Sequence, residues 1–319
     1  MLPFMFPFIA DTVAVPYDDN AIKVHEWGVV EFQEAGLTAI GAHWGELGPD
    51  GILYDYFPDE VEAPVVWFYG PDFTGSLSIE VSGGRITEAY PAPDVEDLVE
   101  MPPPFGSSLP PVSHRMEWTG LSFGSGTAAV EQEELTRRAG FGETCWGWAA
   151  GYWRDVPALS VQRQSDGWTD GFIYYECTAS QALSDLDWTL DSLRPAYGQA
   201  LLFGPGEGDS LRAALVGVGG SLELIRGDLQ DGPIRSVICG WGGNLLDSRE
   251  VSAIWNTWKP RIRARIAEDG QPILLFALPP DLAALISTIE LTVDQGYEVS
   301  VQRLFLGLMP VAGMAWPCD

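Results

Sequence analysis

The sequence predicts a mainly β fold of antiparallel sheets, sandwich-like or in two β-rich lobes, with one amphipathic helix near residues 247–267. Three observations predict it. Short apolar or alternating runs recur along the whole chain. Between them stand 36 glycines and 24 prolines, the residues that give turns their geometry. Strand-like and helix-like segments do not alternate regularly, as parallel βαβ units would require.

The strand candidates, in order, are Ile22 to Phe32, Val65 to Tyr69, Leu77 to Val81, Arg85 to Tyr90, Met116 to Phe123, Leu159 to Arg163 and Phe172 to Cys177. Then come Ala200 to Phe203, Ala213 to Val218, Leu222 to Ile225, Ile234 to Cys239, Ile273 to Leu278 and Val299 to Leu306. Each is bounded by Gly, Pro, Asp or Ser. Gly204-Pro205-Gly206-Glu207-Gly208-Asp209 reads as a hairpin turn, because its two acids would repel a phosphate and no lysine follows. Gly240-Trp241-Gly242-Gly243-Asn244 reads as a strand-to-helix connection.

The helix is expected from Asp247 to Ala267. Asp247 and Glu250 have capping-box spacing, and Val251, Ile254, Trp255, Trp258, Ile262 and Ile266 fall at helical intervals before Gly270. Pro260 should kink or split it, since proline lacks the amide donor. A weaker helix is expected over Thr127 to Arg138, and one turn over Asp281 to Ser287. Pro91 to Pro111, rich in proline, is expected to be an exposed inter-strand connection or a boundary between lobes. No repeat of 20 to 50 residues is present, so the expectation is one large β-rich domain over 15–319.

Of the 319 residues, 45 are Asp or Glu and 17 are Lys or Arg, a formal net charge of −28. That balance excludes an unaided nucleic-acid binder, whose phosphate contacts need a basic footprint, and argues against anionic membrane surfaces. Only Lys23 and Lys259 are lysines. Selection for solubility in saline surroundings and GC-rich coding both explain that bias. No stretch reaches the roughly 20 apolar residues of a membrane-spanning helix.

Residues 1–14 are apolar and end in Thr12-Val13-Ala14, which reads as a short export signal or as a native apolar arm. The four cysteines, Cys145, Cys177, Cys239 and Cys318, contain no C-x-x-C pair. In an exported chain they would form disulfides, with Cys145–Cys177 and Cys239–Cys318 favoured by loop closure. In the other reading all four are inert core thiols.

The most distinctive segment is Val24-His25-Glu26-Trp27-Gly28. It resembles the His-Glu-Trp-Gly signature of an uncharacterised family of predicted exported bacterial proteins. The segments Glu62 to Tyr69, Gly84 to Pro91, Arg154 to Pro157, Phe172 to Tyr175 and the closing Val299 to Pro310 are similar to further family segments in the same order. The family motif continues Thr-Phe-Thr, where this chain has Val29-Val30-Glu31, and an Arg-Gly after the aromatic strand is replaced by Glu176-Cys177. The resemblance implies export and β architecture, and no activity.

Adjacent on a strand, His25 and Glu26 would point to opposite faces. Val29 stands where an H-E-x-x-H motif would have its second His. The three histidines, His25, His43 and His114, are the candidate metal ligands, for zinc or calcium, if they converge. Otherwise His25 is a partly buried residue satisfied by a backbone carbonyl, with Trp27 in the core. No G-x-S-x-G elbow exists. Cys145, among acidic and apolar neighbours, should be unreactive.

Trp146, Trp148, Tyr152 and Trp153 form the densest aromatic cluster. Such rings suit stacking on sugars, and Asp166 with Asp170 is a carboxylate pair for glycoside hydrolysis. Packing is the commoner use of aromatics in a β-rich chain. Acidic groups such as Asp94-Val95-Glu96-Asp97 and Asp185-Leu186-Asp187 read as a solvated face or a weak calcium site. The expected function is an exported, non-catalytic binding or structural protein of the cell envelope or extracellular space. It needs no cofactor, and its partner is an envelope protein or a glycan. The alternative is a metal-dependent hydrolase using His25, His43 and His114.

Overall fold

The computed structural model describes residues 21–34, 56–100, 112–125, 149–178, 199–206, 211–217, 222–225, 231–243 and 245–311. The chain begins with β1 (Ala21–Glu34), β2 (Tyr56–Tyr69), β3 (Phe73–Ser82), β4 (Ile86–Tyr90), β5 (Val95–Glu100) and β6 (Val112–Gly124). Next come α1 (Ala150–Arg154), β7 (Ser160–Arg163), β8 (Thr169–Asp170), β9 (Ile173–Thr178), β10 (Gln199–Pro205), β11 (Leu211–Gly217) and β12 (Leu222–Ile225). The last third holds α2 (Asp231–Trp241), α3 (Ser248–Asp269), β13 (Ile273–Ala277), α4 (Pro280–Ile286), β14 (Thr288–Val293) and β15 (Glu298–Pro310).

A nine-stranded sheet runs β12-β11-β10-β13-β15-β1-β2-β9-β4. A six-stranded sheet runs β14-β3-β6-β7-β8, with β5 also on β6. The protein is therefore mainly β and its pairings are antiparallel, with one departure from expectation: β1 and β15 run parallel. Two apolar layers result. One fills the space between the sheets, with Val24, Phe32, Ile79, Trp118 and Phe305 among its members. The other lies between the larger sheet and α1, α2 and α3, and holds Trp27, Trp67, Trp153, Trp255 and Trp258. Sheets and helices thus stack as three layers around two cores.

α3 follows the expected cap. The Asp247 side chain accepts from the Arg249 amide, Glu250 reaches back to the Asp247 amide at 2.6 Å, and Gly270 ends the helix at φ 67°. That positive φ is open to glycine without a Cβ penalty. Pro260 does not split α3, which continues unbroken through it.

Four sequence expectations need correction. Ile234 to Cys239 is helical, part of α2, so four helices are present among the described residues where one was expected. Its apolar run was short enough to read either way, but Ile234, Ile238 and Trp241 are buried at helical intervals. Gly240 and Trp241 therefore belong to a helix-to-helix connection. The proline-rich span from Pro91 contains β5, whose six residues pair with β6. Neither Cys177, a buried free thiol, nor Cys239 is disulfide-bonded, against the expected pairs with Cys145 and Cys318, which lie outside the described residues. So do the expected export segment, the Thr127 to Arg138 helix and Asp185-Leu186-Asp187.

Candidate functional site

β1 alternates without interruption. Ile22, Val24, Val30 and Phe32 face the inter-sheet core, while Trp27 and Val29 face the helices. The pleat therefore sends His25 to the helical side and Glu26 between the sheets. A register shift opposite Trp27 and Val29 is absorbed by β2, where three steps from Glu62 to Val65 match two on β1. Pro64 lies in that bulge, where a missing amide donor is tolerated.

On the helical side, His25 Nδ1 donates to Glu250 Oε1 at 3.0 Å and Oε2 at 3.1 Å, with Glu250 fully buried. The imidazole lies 4.6 Å from the Tyr69 ring, centroid to centroid. Glu250 is also the capping-box residue of α3, so one carboxylate closes the helix end and fixes it to β1. Further along, Glu31 accepts from Arg261 at 2.7 Å and Arg265 at 2.6 Å. Six strand steps cover about 20 Å and thirteen helix steps about 20 Å, so α3 can lie along β1 with both ties made. Trp27 stacks on Trp67 at 5.6 Å between these ties and meets the edge of Trp153.

On the inter-sheet side, Glu26 accepts from the Tyr175 hydroxyl at 2.5 Å and pairs with Arg303, its cross-strand partner on β15. Arg303 also donates to the Ser287 carbonyl and hydroxyl, both at 2.6 Å, and to the Ala283 carbonyl at 3.0 Å. Ser287 and the Tyr175 hydroxyl are 2.7 Å apart. Burial, then the Glu26 charge, push the Tyr175 phenol well above its ordinary range. The same two causes, in that order, push up the Cys177 thiol. Both groups are held protonated, so neither is an activated nucleophile.

His114 stands on β6 in the smaller sheet. Its Nδ1 accepts from the Ile86 amide at 3.0 Å and its Nε2 donates to Glu96 at 3.1 Å. His25 and His114 thus lie in different layers with the larger sheet between their partners, and His43 is outside the described residues. No group of three or more His, Cys, Asp or Glu among the described residues could hold a metal ion. Asp166 and Asp170 are each engaged by an arginine: Arg163 at 2.6 Å, and Arg154, whose closest contact is 2.9 Å, with the Tyr90 hydroxyl also on Asp170. The Arg163 hydrogen bond holds Asp166 below its ordinary pKa. Asp94 accepts from the Thr119 amide at 2.7 Å, so that acidic run is tied to β6.

Of the four clustered aromatics, Trp153 is fully buried: its indole donates to Thr257 and its carbonyl accepts from Trp67. It is a core residue, contrary to a ligand-facing role. Tyr152, next to it on α1, is 39% exposed and lines an open cleft against α3. Trp146 and Trp148 lie outside the described residues.

Comparison with known protein families, curated proteins and solved structures finds no match.

The partners of the His-Glu-Trp-Gly segment were not legible from the sequence. Glu250 carries a capping signal that accounts for it locally, and only the fold shows that its buried oxygens also take His25. Arg303 sits in a run read only as strand. Four basic residues for every ten or so acids is nevertheless a usable signal, because each buried carboxylate must find one of few cations.

Proposed function

We propose that this chain is an exported, non-catalytic binding or structural protein of the cell envelope or extracellular space. One observation carries the reading. The groups best suited to acid–base or metal chemistry, His25, Glu26, Glu250 and His114, are each spent on bonds that join one element to another. A general base needs an open side toward a substrate; here the Glu26 and Glu250 carboxylates are fully buried. The acidic surface and the family-like motif support an extracytoplasmic setting. The described helices include none long and apolar enough to cross a membrane.

The test is to express the full chain with its own opening segment in a bacterial host and to fractionate the cells, alongside metal analysis of the purified protein. The reading expects the chain in the periplasm or medium with no stoichiometric metal. Retention in the cytosol would overturn the location. One tightly bound zinc per chain, lost on His25→Ala, would overturn the non-catalytic assignment in favour of the hydrolase.

A further inference from the structure

Polar side chains beneath the helices satisfy one another, but those at one cleft between α1 and α3 do not. The cleft has a volume of about 330 Å³ and is lined by Tyr152, Asp155, Arg249, Ser252, Ala253 and Asn256. Small-molecule sites span roughly 300–1,000 Å³, so a sugar ring fits. Buried Ala253 lies at its base, and exposed Tyr152 gives it an aromatic wall.

The hydrogen-bonding groups around that wall are uncommitted. The Asp155 carboxylate makes no hydrogen bond or ion pair among the described residues. The Arg249 guanidinium has one long contact, 3.4 Å to the Asp155 carbonyl. Arg235 donates to Asn256 Oδ1 at 3.2 Å, which leaves the Asn256 amide nitrogen to donate elsewhere. Pro260 has no N–H, so the Asn256 carbonyl lacks its usual helical donor as well.

We infer that this cleft binds a neutral saccharide. An acceptor and donors set beside an apolar ring suit vicinal hydroxyls, which both give and accept hydrogen bonds, on a ring whose C–H face packs against an aromatic. An anionic ligand is disfavoured, because Asp155 stands in the cleft and the chain carries −28. The inference deepens the binding reading above and rests on it.

Isothermal titration of the full chain with cellopentaose, maltopentaose and N-acetylglucosamine pentamer tests it, with a galacturonic acid pentamer as the charged comparison. At least one neutral sugar should bind one to one. Tyr152→Ala and Asp155→Ala, both at exposed positions, should each weaken it at least about tenfold at unchanged melting temperature. Three results would overturn the site: no neutral sugar binding, preference for the charged pentamer, or binding that ignores both substitutions. Cleavage of a sugar whose binding needs Tyr152 would support the site and overturn the non-catalytic reading. Loss of the site alone leaves the fractionation result standing.

Discussion

His25 and Glu250, 225 residues apart, meet with the imidazole Nδ1 about equidistant from both carboxylate oxygens. This bond fixes the first turn of α3 to the middle of the larger sheet. Removing the imidazole strands a buried carboxylate that already serves the helix cap. His25→Ala should lower stability by about 1–3 kcal/mol, read as a shifted urea midpoint, with metal content unaltered. A variant of wild-type stability that had lost one bound metal would favour the hydrolase instead.

Glu26 and Arg303 form the second tie. Arg303→Met alone leaves Glu26 buried without its cation and should cost about 3–5 kcal/mol. The double variant Glu26→Gln with Arg303→Met should cost less than the two single changes added together. A double-mutant cycle by chemical unfolding measures this, and simple additivity would show that the pair is not coupled.

Gly28 completes the motif by leaving room. A Cβ there would lie 2.9 Å from the Phe305 ring and 3.2 Å from the Pro64 Cα in the β2 bulge. Gly28→Ala should therefore cost about 1–3 kcal/mol through overpacking. An unchanged thermal midpoint would mean that the bulge yields freely.

Glu88 and Glu176 face each other across β4 and β9. Partial burial, then the Glu176 charge, raise the Glu88 pKa. A raised folded pKa means that the protonated acid favours the fold, and that this contribution is lost as pH climbs through the folded value. Glu88→Gln should thus be more stable than the parent near neutral pH, by about 0.2–1 kcal/mol. The gain should shrink toward about pH 4, where the parent carboxyl is itself protonated. Melting curves at both pH values decide it, and a gain that grew on acidification would reverse the assigned sign.

Where residues report their environment by local rhythm, the sequence was readable. The alternation of β1 correctly placed His25 and Glu26 on opposite faces, and Asp247, Glu250 and Gly270 marked both ends of α3. Ile234 to Cys239 misled because an apolar run of that length satisfies either period, and the deciding contacts come from α3 and β10, not from neighbours in sequence. β14 was missed because its residues are mostly exposed and show no strong alternation. The histidine's partner was misjudged in kind: a backbone carbonyl was expected for His25, and the bond goes to a carboxylate. The cleft escaped because Tyr152 and Trp153 look alike on paper, and only the pitch of α1 sends one outward and the other into the core.

The pairing of β1 with β15 bears on the order of events during folding. Glu26 and Arg303 are 277 residues apart, and β15 is the strand that joins β1 to β13 in the larger sheet. Until the last strand is available, β1 and β2 on one side and β10 and β13 on the other have no common neighbour. Closing so long a loop is entropically costly and slow. The chain should therefore stay incompletely folded while it is being synthesised and acquire its larger sheet only after its C-terminal portion is released, a delay that suits a polypeptide threaded across a membrane before it folds.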